Sequence, residues 1–244
     1  MQAKRTELHP KRVVIFDADD TLWRTQELYD QAKQEFEQVL RNESFHTENI
    51  VGMLEDIEID EIPKLGFSKE RFINSLSKTY EVLCAKERRQ RNVKLESKIK
   101  AIGETAFQTP KLYEDAVASL ERLSKYYALV LATKGDTQLQ KSKIKQLGVG
   151  HFFLKIYTLA RKTELEYSQI LSDLSVPKER LWVVGNSVKS DIKPAVKLNL
   201  RSILIPRGAW RYEQDQIPSE SVIVASSLSE AADIIISNDC RTTT

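Results

Sequence analysis

The sequence predicts an α/β protein: a doubly wound, mainly parallel sheet with a smaller all-helical domain inserted after its first strand. Three features lead there. The run Val13-Val14-Ile15-Phe16 passes straight into Asp17-Ala18-Asp19-Asp20, and three of its four apolar residues are β-branched, as suits a strand buried on both faces. Residues 24 to about 108 show apolar positions at helical spacing and no convincing strand. From Pro110 onward, short apolar runs alternate with helix-length amphipathic stretches, as in successive βα units.

The insert is read as 24–109, leaving 1–23 and 110–244 as the α/β core. Leu28, Ala32, Phe36, Val39 and Leu40 form one helical stripe. Phe72, Leu76, Tyr80 and Leu83 form another, behind Ser68-Lys69-Glu70, which suits a helix N-cap. Leu95, Ile99, Ile102 and Ala106 make a third, and bundle packing explains all of them. Lys86-Glu87-Arg88-Arg89-Gln90-Arg91 reads as a basic run on a solvated helix face. Pro110 marks the return to the core, because the residue before a proline is pushed out of helix. Tyr113 to Ser124 then reads as a helix, Ala128 to Thr133 as a buried strand, and Asp136 to Leu147 as a helix stopped by Gly148. Phe152 to Tyr157 is a strand, and Glu164 to Leu174 a helix closed by Pro177. Leu181 to Val184 is a buried strand ending at Gly185, followed by a short helix from Ile192 to Leu198. Strands at Ser202–Ile205 and Val222–Ala225 and a helix from Leu228 to Ile236 complete the pattern, with a tail from Arg241 expected to fray.

A chain of 244 residues can bury a full core and a satellite domain. Its formal net charge of +2 gives no electrostatic footprint for a nucleic-acid polymer or an anionic membrane. The longest apolar runs are strand-length, so a membrane span is not expected, and neither is a secretory signal. Cys84 and Cys240 lie far apart without CxxC neighbours, which argues against a disulfide scaffold or zinc site and for a reducing cytoplasm. His9, His46 and His151 are scattered and receive no catalytic role. Nothing in the pattern sets an oligomeric state.

Chemistry-bearing residues recur where strands end. Asp17 and Asp19 follow the first strand, and Thr133 ends the second. Lys162 lies in the turn before the helix at Glu164, and Gly185-Asn186-Ser187-Val188-Lys189-Ser190-Asp191 follows the strand at Leu181. In a parallel sheet these ends share one edge, where ligands bind. There Asp17 and Asp19 are expected to face one crevice, one attacking while the other handles a proton.

In this order the residues resemble the haloacid dehalogenase superfamily, on its phosphatase side. That family's Asp-x-Asp-x-Thr is Asp17 to Thr21, its strand-end Thr is Thr133, its Lys is Lys162, and Gly185-Asn186 through Asp191 is a close variant of Gly-Asp-x-x-x-x-Asp. The segment Leu131-Ala132-Thr133-Lys134-Gly135-Asp136 is also similar to the family's second strand, and an insert between the first two motifs occupies the place of a C1 cap. The resemblance implies a Rossmann-like core and Mg²⁺-dependent hydrolysis of a small soluble phosphomonoester through an aspartyl-phosphate. It implies Asp17 as nucleophile and Asp19 as acid and then base. It also implies Thr133 and Lys162 on the phosphoryl oxygens, and Asp17, the Asp19 carbonyl, Asn186 and Asp191 on the metal. Thr133 could instead cap the following helix.

Some positions depart from the pattern. Asn186 stands where the family has Asp, and its amide oxygen can coordinate without bringing charge. Asp20 stands where Gly is frequent, and turn chemistry accounts for it. Lys134 replaces a common Asn, pointing either to the phosphate, where we place it, or to solvent. Lys155 and Arg161 are rivals to Lys162, which the helix start at Glu164 favours. Ser187 and Ser190 are expected to support the site by hydrogen bonds, with Trp23, Trp210, Arg207 and Arg211 flanking the crevice. A phosphomutase would share all these motifs. A metal-independent haloacid dehalogenase is opposed by Asp19 and Asp191, and a non-catalytic binding protein is encouraged by Asn186 alone. The expected partner is a small phosphate ester, and specificity is expected to lie in the insert.

Overall fold

The computed structural model describes residues 12–208, 210–218 and 222–241. Its centre is a six-stranded sheet of order β3-β2-β1-β4-β5-β6, every neighbouring pair parallel. The strands are β1 (Val13–Phe16), β2 (Ala128–Lys134), β3 (Phe153–Leu159), β4 (Leu181–Gly185), β5 (Arg201–Leu204) and β6 (Ile223–Val224). β1 lies in the middle, with Phe16 level with Leu131 on one side and Val184 on the other. The chain winds outward from β1 to β3, then crosses back to β4, so the strand order reverses beside β1. Such a switch point opens a crevice at the carboxyl edge.

Alternation along the strands supplies two apolar layers. Val14, Phe16, Leu129, Leu131, Trp182 and Val184 pack on one face, against α5 (Ala116–Ser124) and α9 (Leu228–Arg241). Val13, Ile15, Val130, Ala132, Leu181 and Val183 pack on the other, against Tyr167, Ile170 and Leu174 of α7 (Glu164–Leu174). The remaining core helices are α6 (Thr137–Leu147) and α8 (Lys193–Lys197). Asp136 caps α6 by accepting from Gln138 N and Leu139 N, and Gly148 ends it in the left-handed region at φ 70°. Thr163 and Glu166 form a capping box at the start of α7.

Between β1 and β2 lie α1 (Gln26–Asn42), α2 (Ile50–Leu65), α3 (Lys69–Lys86) and α4 (Val93–Thr105), packed around their own cluster of Phe36, Leu40, Leu54, Phe72, Tyr80 and Ile99. Ser68 Oγ accepts from Arg71 N at 3.1 Å, capping α3 as expected. The chain enters and leaves this insert side by side. Arg24 N donates to Lys111 O at 2.9 Å, Tyr113 N donates to Leu22 O at 3.0 Å, and Trp23 and Leu112 form an antiparallel bridge between them.

Several expectations need correction. The basic run is not on a helix: α3 stops at Lys86, and Arg88 takes a positive φ of 54°. Arg89 lies over the Phe45 ring at 3.7 Å, and Arg91 pairs with Glu81 and Glu96. Past Lys86 the run is therefore a turn tied to its neighbours, and it is solvent-exposed as expected. The helix expected from Tyr113 begins at Ala116, because Tyr113 is engaged with Leu22. The helix expected from Ile192 is preceded by a π-helical turn, Val188–Ile192. α9 runs on to Arg241, so that residue of the tail is helical, while 242–244 lie outside the described residues. Among the described residues no helix is long and apolar enough to cross a membrane.

Candidate active site

The hydrogen-bond ladder carries one residue past β1: Asp17 N donates to Val184 O at 2.9 Å, which sets Asp17 on the carboxyl edge at the switch point. Asp20 then takes φ 62°, a conformation that a short polar side chain tolerates. Its Oδ1 accepts from Gln26 N at 2.8 Å at the start of α1, so Asp20 does turn chemistry as expected. Gly208 (φ 50°) passes so close that a Cβ there would meet Asp20 Cγ at 2.6 Å.

Asp17, Lys162 and Asp191 meet behind this turn, all buried. Lys162 Nζ donates to Asp17 Oδ1, and to Asp191 Oδ1 at 2.8 Å. Asp17 Oδ2 accepts from Thr21 Oγ1 at 2.8 Å, and Asp191 Oδ2 accepts from Ser187 N at 3.1 Å. Burial pushes the Asp17 carboxyl up to about 7; Lys162 opposes this and Asp191 adds to it. Burial would lower the Lys162 ammonium, but Asp17 and Asp191 hold it well above the ordinary lysine value. Of the rivals, Lys155 pairs with Asp173 at the surface and Arg161 is exposed, so neither reaches Asp17.

Asp19 occupies a different environment. Its Oδ1 accepts from Trp23 Nε1 at 2.7 Å, Thr25 Oγ1 at 2.5 Å and Lys143 Nζ at 2.7 Å, and its Oδ2 accepts from Gln140 Nε2 at 2.6 Å. Burial works to raise this carboxyl, but Lys143 and the other donors override it and hold it down to about 2. It is therefore ionised, and it can donate a proton only after it has taken one. Gln140 and Lys143, which grip it from α6, were not singled out in the sequence. Their spacing of three on one helix face is the signal that could have found them.

Thr133 is wholly buried and does not line the cavity; its Oγ1 has no hydrogen-bond partner among the described residues. Lys134 faces the cavity rather than solvent, with its Nζ on Ser190 Oγ at 2.9 Å and paired with Glu213, another residue the sequence reading missed. Asn186 donates through Nδ2 to Arg207 O at 2.9 Å, leaving Oδ1 with only a long contact of 3.5 Å from Thr21. Trp210 lines the cavity, whereas Trp23, Arg207 and Arg211 flank it without lining it.

The insert forms the roof of this cavity of about 140 Å³, with Tyr29, Lys33, Glu58, Phe67, Arg71 and Phe107 facing it. Glu58 is buried between two cations, Lys33 at 3.2 Å and Arg71 at 2.9 Å. Arg71 stacks on the Trp210 ring at 5.0 Å, and its buried Nε has no hydrogen-bond partner among the described residues.

The donor set fits a hard divalent cation. Asp17 and Asp191 supply carboxylates, and Asn186 Oδ1 is nearly unengaged. Among the described residues no three His, Cys, Asp or Glu side chains gather as a metal cluster. Two carboxylates and an amide oxygen are donors of the kind Mg²⁺ takes, which completes its shell with water.

The family model for haloacid dehalogenase-like hydrolases matches residues 11–199. The chain belongs to this family. This haloacid dehalogenase-like hydrolase is 25% identical over 235 residues to a glyceraldehyde 3-phosphate phosphatase of Methanocaldococcus jannaschii, covering 91% of this chain and 96% of the relative. A haloacid dehalogenase-like hydrolase of Xanthomonas campestris shares its fold with a TM-score of 0.81 at 23% identity, over 95% of this chain and 93% of the other. The L-2-haloacid dehalogenase of Xanthobacter autotrophicus aligns with a TM-score of 0.64 at 13% identity, over 93% and 98% of the two chains.

Proposed function

We propose that this hydrolase cleaves a small, polar phosphomonoester and that Asp17 is transiently esterified in the process. One observation carries the reading: Asp17 stands at the switch point on a buried lysine shared with Asp191, beneath a roof bearing charge of both signs. An anionic ester repels a carboxylate unless cations intervene, and fixed charges that meet developing charge supply much of such catalysis. Lys162 is one such cation and Lys134 a second. Mg²⁺ held by Asp17, the Asp19 carbonyl, Asn186 and Asp191 would supply further charge neutralisation when bound.

In the proposed sequence Asp17 attacks phosphorus as the ester P–O bond breaks, and the leaving alkoxide takes a proton from Asp19. Asp19 then removes a proton from the water that hydrolyses the acyl phosphate, which frees Asp17 and restores the acid. Asp19 starts ionised, as the second half needs, but a carboxylate held this low is a weak base until Lys143 or Gln140 lets go of it. The first half requires the substrate to displace Lys143 or Gln140 from the carboxylate and let it enter protonated.

In the roof, Lys33 and Arg71 offer donors and Glu58 an acceptor, so a leaving group with hydroxyl or carboxylate oxygens finds partners there. The activity of the Methanocaldococcus relative on a triose phosphate agrees with a leaving group of that size. The test is phosphate release from a panel of sugar phosphates, phosphoglycolate and nucleoside monophosphates, with Mg²⁺ and with chelator. Turnover that needs Mg²⁺ and vanishes in a folded Asp17→Asn variant is expected. A flat panel would leave a binding protein, an isomeric product a mutase, and 2-haloacid turnover in chelator a dehalogenase.

A further inference from the structure

Glu213 lines the cavity, yet the proposed chemistry gives it no task. Its Oε1 pairs with the Lys134 ammonium, and its Oε2 accepts from Ser187 Oγ and Ser190 Oγ, each at 2.6 Å. Lys134 Nζ also donates to Ser190 Oγ, which closes a ring. The ring spans the switch point, because Lys134 ends β2, Ser187 and Ser190 follow β4, and β1 with Asp17 lies between. The turn so gripped runs from Asn186 to Asp191.

The neighbours of Glu213 dock on the insert. Trp210 faces Arg71, Arg211 donates to Asp56 at 2.5 Å, and the Tyr212 ring lies 5.6 Å from that of Phe67. Thus one short segment touches the roof through three residues and the floor through the fourth.

We propose that Glu213 is a positioning residue: it fixes the Lys134 ammonium and the Ser187–Ser190 turn at the phosphate end of the cavity while its segment is seated on the insert. The inference rests on the phosphatase reading. A lysine side chain loses rotamer freedom when held still, so an unanchored Lys134 would incur that entropic cost at each binding event. Anchored, it meets the phosphoryl oxygens already in place. Burial alone would raise the Glu213 carboxyl; Lys134 and the serine hydroxyls hold it below the ordinary range, so it is the anionic partner Lys134 requires.

The test compares the full-length wild type with Glu213→Gln, Lys134→Met and the double variant. Hydrolysis of p-nitrophenyl phosphate with Mg²⁺, inhibition by inorganic phosphate and thermal melts are measured for each. In Glu213→Gln, KM and the phosphate inhibition constant should each rise about tenfold, with the melt close to wild type and the double variant no worse than Lys134→Met. Wild-type phosphate affinity in Glu213→Gln, or losses that multiply in the double variant, would overturn the assignment. Should Glu213→Gln fail to fold, Glu213→Asp is read the same way, since it keeps the charge but falls one methylene short. If neither folds, Glu213 is a structural brace and the proposal fails. A wild type inactive on every ester would sink the phosphatase reading, and inorganic phosphate binding by calorimetry would then decide on Glu213. Equal affinity in wild type and variant, or none in the wild type, would overturn it.

Discussion

At the residue scale the site depends on one ammonium between two carboxylates. Removing one partner of a buried ion group leaves charge uncompensated at a cost of about 3–5 kcal/mol. Lys162→Met should therefore lower the melting temperature in metal-free buffer and cut turnover at least ~100-fold. A variant that melts and turns over like wild type would remove Lys162 from the site. The strand-end residues were legible because a buried apolar run that meets acids fixes its own geometry: Asp17 could only lie on the carboxyl edge. Glu213, Lys143 and Arg71 were not legible. Each comes from a helix or loop whose distance to β1 depends on tertiary packing, and a lone charged residue in such a segment looks like surface.

Elements divide along a similar line. α1, α3 and α4 announce themselves by apolar stripes that end in their own cluster. α2 gave no stripe, because its buried positions are Ile50, Leu54, Glu58 and Glu61. Acids replace apolar residues halfway along, where the helix turns toward Lys33 and Arg71 instead of toward the bundle core, so the hydrophobic period stops there. Two measurements bear on this level. Ser68→Ala should cost about 0.5–2 kcal/mol in denaturant unfolding, because the first turn of α3 loses its cap. Arg71→Met should cost more than that, because buried Glu58 is left with Lys33 as its one cation, and adding Glu58→Leu should recover part of the loss, since apolar residues replace buried pairs well and Lys33 keeps Glu55. A double variant no more stable than the single would show that Glu58 is held by other means.

For the molecule as a whole, a doubly wound, mainly parallel sheet was legible in the sequence, because alternating βα units permit few topologies, but the order of its strands was not. How the insert meets the core did not follow, since that contact is made by a loop after β5 whose residues carry no periodicity. The exposed Arg211–Asp56 pair should contribute little to stability, about 0–1 kcal/mol. Arg211→Ala should thus leave the melt nearly unchanged, while weakened docking of the loop shows in faster amide exchange over residues 210–213. Slow exchange retained there would mean that the Trp210 and Tyr212 rings hold the loop unaided.

The paired connectors at Leu22–Arg24 and Lys111–Tyr113 have a geometric consequence. Strands bonded in this way run about 5 Å apart, a gap that a two-residue hairpin turn closes. Seen from the sheet, everything between them spans almost no distance. The four helices hang from the core like a bead on a doubled thread: their size or sequence can change while the nucleophile's footing, set by the neighbouring strands, remains where it is.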